Sequence, residues 1–143
     1  MSAENLGILL AETARAWRNR LDQRLRPLGL SQAKWMVLLY LARYGDGLTQ
    51  KRLSECLGIE GPSLVGTLDR MEADGWVERR VSVADRRAKT IHRTDKAMDL
   101  TREIKQVAAT LRGELLEGIP AAEIEQSMNL LGRIKQRIDS IES

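Results

Sequence analysis

TQKRLSECLGIEGPSLVGTLDRMEADGWVERRVSVADRRAKTIHR, the stretch from Thr49 to Arg93, decides the fold. Thr49 can cap a short helix in which Leu53 and Leu57 lie one turn apart, and Gly58 supplies the left-handed residue for a sharp turn through Gly61. Pro62 suits the first position of a following helix, where its missing N–H needs no partner. Leu64, Leu68 and Met71 line the inner face of that helix until Gly75 stops it, and its opposite face is expected to carry Ser63, Gly66, Thr67 and Arg70. Two short segments with partial alternation then flank a polar tip at Ser82 to Arg87: Trp76 to Val81 and Ala88 to His92, as a two-stranded wing requires. The order is helix, turn, helix, ribbon.

Charge gives this order a meaning. Residues 78–93 hold six Lys/Arg and two acids, whereas the whole chain carries a net charge of only +3. The positive charge is therefore concentrated on the ribbon beside the second helix, which points to nucleic acid.

Outward from this core, the chain reads as helix. Leu10, Ala14, Trp17, Leu21, Leu25 and Leu28 form one apolar stripe before Pro27 and Gly29 close the first helix. Ser31 can cap a second helix, largely buried through Trp35, Leu38, Leu39, Leu41 and Ala42, until Tyr44-Gly45-Asp46-Gly47 breaks it. After the wing, Thr94 can cap a long helix with its stripe at Leu100, Ile104, Val107, Ala108, Leu111 and Leu115. Gly118 and Pro120 separate it from a last helix marked by Ile124, Met128, Leu131, Ile134, Ile138 and Ile141. The predicted fold class is mainly α with a small β wing: a winged helix-turn-helix core over residues 31–93, with residues 1–28 and 94–143 as dimerisation helices, all within one domain spanning 1–143. The terminal stripes have no second domain to cover them except each other or another copy, so a homodimer is expected.

Several classes are excluded at this level. No apolar run reaches the ~20 residues of a bilayer-spanning helix, and the N-terminus lacks the pattern of a signal peptide, so a cytoplasmic location and no membrane partner are expected. With one Cys (Cys56) and one His (His92), no disulfide framework and no metal site are expected, and Cys56, beside Leu53 and Leu57, reads as a buried thiol. No phosphate-binding loop, nucleophile elbow or catalytic dyad is present, so neither an enzyme nor a cofactor is expected.

The pattern LSECLGIEGPSLVGTLDRMEADGWVERR, followed by DRRAKTIHRT, resembles the MarR family of winged-helix transcription regulators, and RAWRNRLDQRLRPLGLSQAKW adds a likeness to its SlyA branch. The resemblance covers nearly the whole chain. It implies an obligate homodimer with interlocked terminal helices and two winged helices set to read a pseudo-palindromic duplex, acting on transcription as a repressor or anti-silencer. It further implies that Asp85 of Asp85-Arg86-Arg87 orients an arginine at the wing tip. A small aromatic carboxylate effector is implied as well, in a pocket whose matching positions are Arg15, Trp35, Leu39 and Thr67.

The residues support DNA reading on their own chemistry. A helix entering the major groove by its N-terminus presents backbone N–H groups and small polar side chains, and Pro62, Ser63, Gly66 and Thr67 occupy that place, with Arg70 further along. Arg86 and Arg87 sit where a guanidinium can enter a narrow minor groove, while Lys89, Arg79 and Arg80 are placed for phosphates. Gly66 departs from the resemblance, since SlyA-like proteins carry a long basic side chain there. Glu60, Asp69, Glu72 and Asp74 bracket the reading helix, so its own charge is expected to oppose phosphates and to throw affinity onto the wing. The alternative class is a helical dimeric protein-binding adaptor that keeps the winged helix only as a fold; such a protein is indifferent to loss of Arg86 and Arg87.

Overall fold

The computed structural model describes residues 2–141, and the chain divides into two compact units, Met1–Thr110 and Leu111–Ser143. The described residues form six α-helices and a three-stranded antiparallel sheet. In chain order these are α1 (Leu6–Leu25), α2 (Gln32–Tyr44), β1 (Leu48–Thr49), α3 (Gln50–Leu57), α4 (Gly61–Ala73), β2 (Val77–Val81), β3 (Lys89–Arg93), α5 (Asp95–Leu115) and α6 (Ala121–Ser140).

The helix ends follow from the side chains foreseen for them. Ser31 Oγ accepts from the Lys34 N–H (3.4 Å), Thr49 Oγ1 from the Arg52 N–H (3.1 Å), and Thr94 Oγ1 from the Ala97 N–H (3.3 Å). Each satisfies one of the orphan donors of a first turn, worth about 1 kcal/mol apiece. Gly58 (φ 66°) and Gly75 (φ 80°) take the left-handed conformation that ends α3 and redirects the chain after α4 into the wing. Pro62 stands second in α4 rather than first, because the turn delivers Gly61 into the helix.

The core of the first unit is aliphatic. Leu25 of α1, Val37, Leu38 and Leu41 of α2, Leu53 of α3, Leu64, Leu68 and Met71 of α4 and Ile91 of β3 are all fully buried. Burial of a residue of this kind contributes about 1.5–3 kcal/mol, so this cluster holds α2, α3, α4 and the sheet as one body. Trp35 is part of it, 3% exposed, with its indole N–H donated to Asp22 Oδ1 of α1 at 2.9 Å. Along α5 the buried face runs through Ala97, Thr101, Ile104 and Leu111, with Leu100 only half-buried; Thr101 is accommodated because its hydroxyl donates to the Ala97 carbonyl (2.7 Å).

The sheet has one strand more than the sequence suggested. Its order is β1-β3-β2, with Leu48 opposite Ile91 and Thr49 opposite Thr90 on one side of β3, and Val77 opposite Arg93 through Val81 opposite Lys89 on the other. Asp46, in the turn before β1, grips the end of β3: its Oδ1 accepts from the Arg93 backbone N–H and Nε (both 2.9 Å) and its Oδ2 from Nη2 (3.0 Å).

In the second unit, α6 buries no residue. Met128 (68% exposed), Leu131 (46%), Ile138 (64%) and Ile141 (63%) leave most of its apolar stripe bare, and in the first unit Leu6, Ile8 and Leu9 of α1 are bare as well. No described helix is long and apolar enough to cross a membrane.

Candidate nucleic-acid interface

The wing tip is an ordered turn. Ser82 N–H donates to the Ala88 carbonyl (2.9 Å), Ala88 N–H to the Asp85 carbonyl (3.0 Å), and Arg87 N–H to Asp85 Oδ1 (3.0 Å). Asp85 Oδ1 also lies 3.5 Å from Arg87 Nε, while the Arg87 side chain stays 94% exposed. The carboxylate thus anchors the backbone of Arg87 and leaves its guanidinium in solvent. Arg86, next to it, is exposed and makes no hydrogen bond or ion pair among the described residues.

The recognition helix α4 differs from the expectation in two ways. Thr67 is not on the outer face: it is 5% exposed, and its hydroxyl donates to the Ser63 carbonyl at 3.3 Å. The reason is helical spacing, since 67 falls three after Leu64 and four before Met71, on the ridge packed against the core. The outer face is therefore Ser63, Gly66 and Arg70, with Pro62 exposed at its start.

The second difference concerns charge. Arg79, expected on phosphates, is turned back onto α4 and only 16% exposed. Its Nη2 lies 2.6 Å from Asp69 Oδ1 and 2.8 Å from Glu72 Oε1, its Nε 3.2 Å from the same Glu72 oxygen, and its backbone N–H donates to Glu72 Oε2 (3.0 Å). The Arg79 guanidinium holds the Glu72 carboxyl below its ordinary value, and Glu72 in turn raises the Arg79 pKa. Lys34 approaches Asp74 at 3.6 Å, and Arg80 is paired with Glu78 (3.3 Å). Three of the four acids bracketing α4 thus lie against two cations of the protein itself, Arg79 and Lys34, which lessens but does not cancel the negative charge expected there. Glu60 remains, as an exposed N-cap whose side chain makes no capping hydrogen bond.

A carboxylate held low stabilises the fold above its ordinary pKa, and that stability disappears as pH falls through the folded value. Glu72 meets this condition. So does Asp46, where burial alone raises the pKa but the hydrogen bonds from Arg93 outweigh it and the net shift is downward. The melting temperature is expected to be flat from neutrality to about pH 5 and to fall below the ordinary values of 4.5 and 3.8. Thermal melts at pH 7, 5, 4 and 3 check this; an E72Q/D46N variant should start lower at pH 7 and show a shallower fall. An equal fall in both proteins would assign the acid sensitivity elsewhere.

The structure adds residues that charge patterning on the wing alone did not single out. An open groove of about 660 Å³ separates the first turn of α3 from the wing, lined among others by Gln50, Lys51, Ser82, Arg87 and Lys89. Lys51 and Lys89 are both exposed and make no ion pair among the described residues, so two unpaired cations and Arg87 face one channel. Lys51 could have been suspected because the first helix of a helix-turn-helix crosses the backbone. His92 is half-buried, its Nε2 2.8 Å from Thr90 Oγ1, and Cys56 is half-buried rather than buried.

The four positions implied for an effector pocket are not alike. Trp35 is locked in the core with its N–H satisfied by Asp22, and Thr67 is buried against its own helix; Arg15 is exposed and Leu39 half-buried. No group of three or more His, Cys, Asp and Glu able to hold a metal ion occurs among the described residues.

Comparison with known proteins places this geometry. The MarR family model matches residues 28–88, which run from the turn between α1 and α2 to the wing tip. The crystal structure of the transcriptional regulator PA3341 is 46% identical, with a TM-score of 0.88 over 95% of this chain and 99% of that one. CouR from Rhodococcus jostii RHA1, solved bound to p-coumaroyl-CoA, is 26% identical with a TM-score of 0.77, covering 90% of both chains. SlyA, at 19% identity and a TM-score of 0.79 over 94% of both chains, shares the fold, a likeness that does not single out its branch. The 46% identity across almost the full length, together with the match over the winged helix-turn-helix, shows that the chain belongs to the MarR family of transcriptional regulators, and so is not an enzyme.

Proposed function

We propose that the protein binds DNA as a homodimer on a pseudo-palindromic promoter site, with α4 in the major groove and the wing in the adjacent minor groove, and that this occupancy represses or de-silences transcription. The observation that carries the reading is the distribution of paired and unpaired charge. Asp69 and Glu72 share Arg79 and Asp74 lies beside Lys34, whereas Arg70, Arg86, Lys51 and Lys89 stand exposed without ion pairs among the described residues, and the Arg87 guanidinium is almost wholly in solvent. Cations left unpaired beside a recognition helix are what a polyanion recruits by counterion release. The bare apolar stripes on α1 and α6 support the dimer, since stretches of this kind mark association surfaces. Two-fold geometry then sets the half-sites about one helical turn apart.

An aromatic carboxylate effector forms part of the proposal. Arg15 offers an exposed cation for the carboxylate and Leu39 apolar area, while Trp35 and Thr67 are buried with their polar atoms satisfied within the protein. CouR is solved with a thioester of an aromatic acid, which supports an aromatic effector but not the free carboxylate.

Fluorescence anisotropy with a duplex from the gene's own upstream region, against a scrambled duplex at low and physiological salt, tests the DNA reading. Selective binding that weakens by roughly three orders of magnitude or more between 50 and 200 mM salt is expected for about six phosphate contacts or more. Absence of binding at low salt to any duplex would defeat the proposal.

A further inference from the structure

We propose that Arg70 is the guanine-reading side chain of α4, and that Gly66 is the opening through which it reads; the inference rests on the DNA-binding mode proposed above. Side chains on a helix lean toward its N-terminus, so a long residue covers the surface one turn before its own backbone. Arg70 does so here. A Cβ built on Gly66 would lie 3.6 Å from Arg70 Nη1, placing the guanidinium over the glycine, on the outer face it shares with exposed Ser63.

Two features make this more than a solvated arginine. The acids within reach along the helix are already engaged, Asp69 and Glu72 by Arg79 and Asp74 by Lys34, so Arg70 has no ion pair to break among the described residues. Its position also brings a fork of donors forward from the third turn of α4 toward the N-terminal half that enters the groove. In the major groove, guanine alone presents two acceptors, O6 and N7, that match such a fork; adenine places a donor beside its N7. A long side chain at position 66 would occupy the space in which the guanidinium lies. The glycine is therefore part of the reading device, and the absence of a basic residue at 66 is made good from position 70.

Selection from a randomised duplex pool, followed by affinity measurement on the selected site and its single-base variants, tests this on the full-length protein. The wild type is expected to select a two-fold motif with a guanine in each half-site, preferred by roughly 5- to 150-fold over other bases there. R70A should lose that preference while keeping the rest of the motif, and R70K should retain affinity but discriminate less, since an ammonium cannot fork. G66L, with the guanidinium displaced, should lose preference at the same base, whereas G66A should keep it, because 3.6 Å is ordinary contact. Circular dichroism melts confirm that each variant is folded. An unchanged motif in R70A overturns the inference and leaves the DNA reading intact; uniform weakening on all sequences makes Arg70 a phosphate contact and overturns it too. A wild type that selects no motif overturns the DNA reading itself and the inference with it.

Discussion

A Leu131→Glu, Ile138→Glu double variant is expected to run at the 16.1 kDa of a single chain, where the wild type should run at twice that mass, and to lose roughly 100-fold or more in affinity for a two-half-site duplex. Both side chains belong to the bare stripe of α6, 46% and 64% exposed, together with Met128. If a second copy covers that stripe, both introduced glutamates of each chain must be desolvated without partners, at a cost of several kcal/mol each. The helix itself tolerates the change, because glutamate is a good helix former and neither site is buried within the chain. The loss in DNA affinity follows from geometry: a dimer's second winged helix binds at the effective concentration set by the first, and a monomer forfeits that gain. Light scattering and anisotropy on the same preparation check both halves of the statement. A wild type already monomeric at micromolar concentration, or a variant that stays dimeric, would refute this use of α6.

The second large effect is expected at the wing. Arg86→Ala with Arg87→Ala should weaken operator binding by about 1–3 kcal/mol for each arginine that enters the minor groove, and should reduce the dependence on salt. Stability should hardly move, because Arg86 is unpaired among the described residues and the Arg87–Asp85 contact, at 3.5 Å with Arg87 almost fully exposed, contributes little. Asp85→Ala should lower affinity less, by freeing the arginine to sample other directions. Unchanged binding in the double variant would remove the wing arginines from the DNA contact and leave α4 to carry it. Melting curves alongside the titrations separate lost contact from lost fold.

Much of this was legible in the chain because caps, turn glycines and apolar stripes are local signals. Ser31, Thr49 and Thr94 cap the helices they precede, Gly58 and Gly75 turn left-handed, and the two long strands of the wing fall where partial alternation put them. What was not legible was set by partners distant in sequence. β1 is two residues long, too short for any period, and Thr49 serves it and the α3 cap together. Arg79 and Arg80 are neighbours in sequence, but strand alternation sends one to the acids of α4 and the other to the surface, so only the first becomes internal. Trp35 reads as core from its apolar helix, and what the sequence does not show is Asp22 of α1 accepting from its indole nitrogen. Thr67 was misplaced for a different reason: its polarity outweighed a spacing from Leu64 and Met71 that already put it on the inner ridge.

The Arg79 contacts with Asp69 and Glu72 have a consequence for how promoters can diverge. They fasten the first strand of the wing to the reading helix by four contacts, three through the side chain and one through the backbone. On the proposed DNA reading, the two probes of each half-site form a calliper of fixed span. One inserted base pair between the base steps they touch displaces one contact by about 3.4 Å along the axis and rotates it by roughly a tenth of a turn, which such a calliper cannot follow. Operators of this regulator should therefore drift freely in base composition, and in the gap between half-sites as far as the dimer flexes, while the internal length of each half-site stays constant.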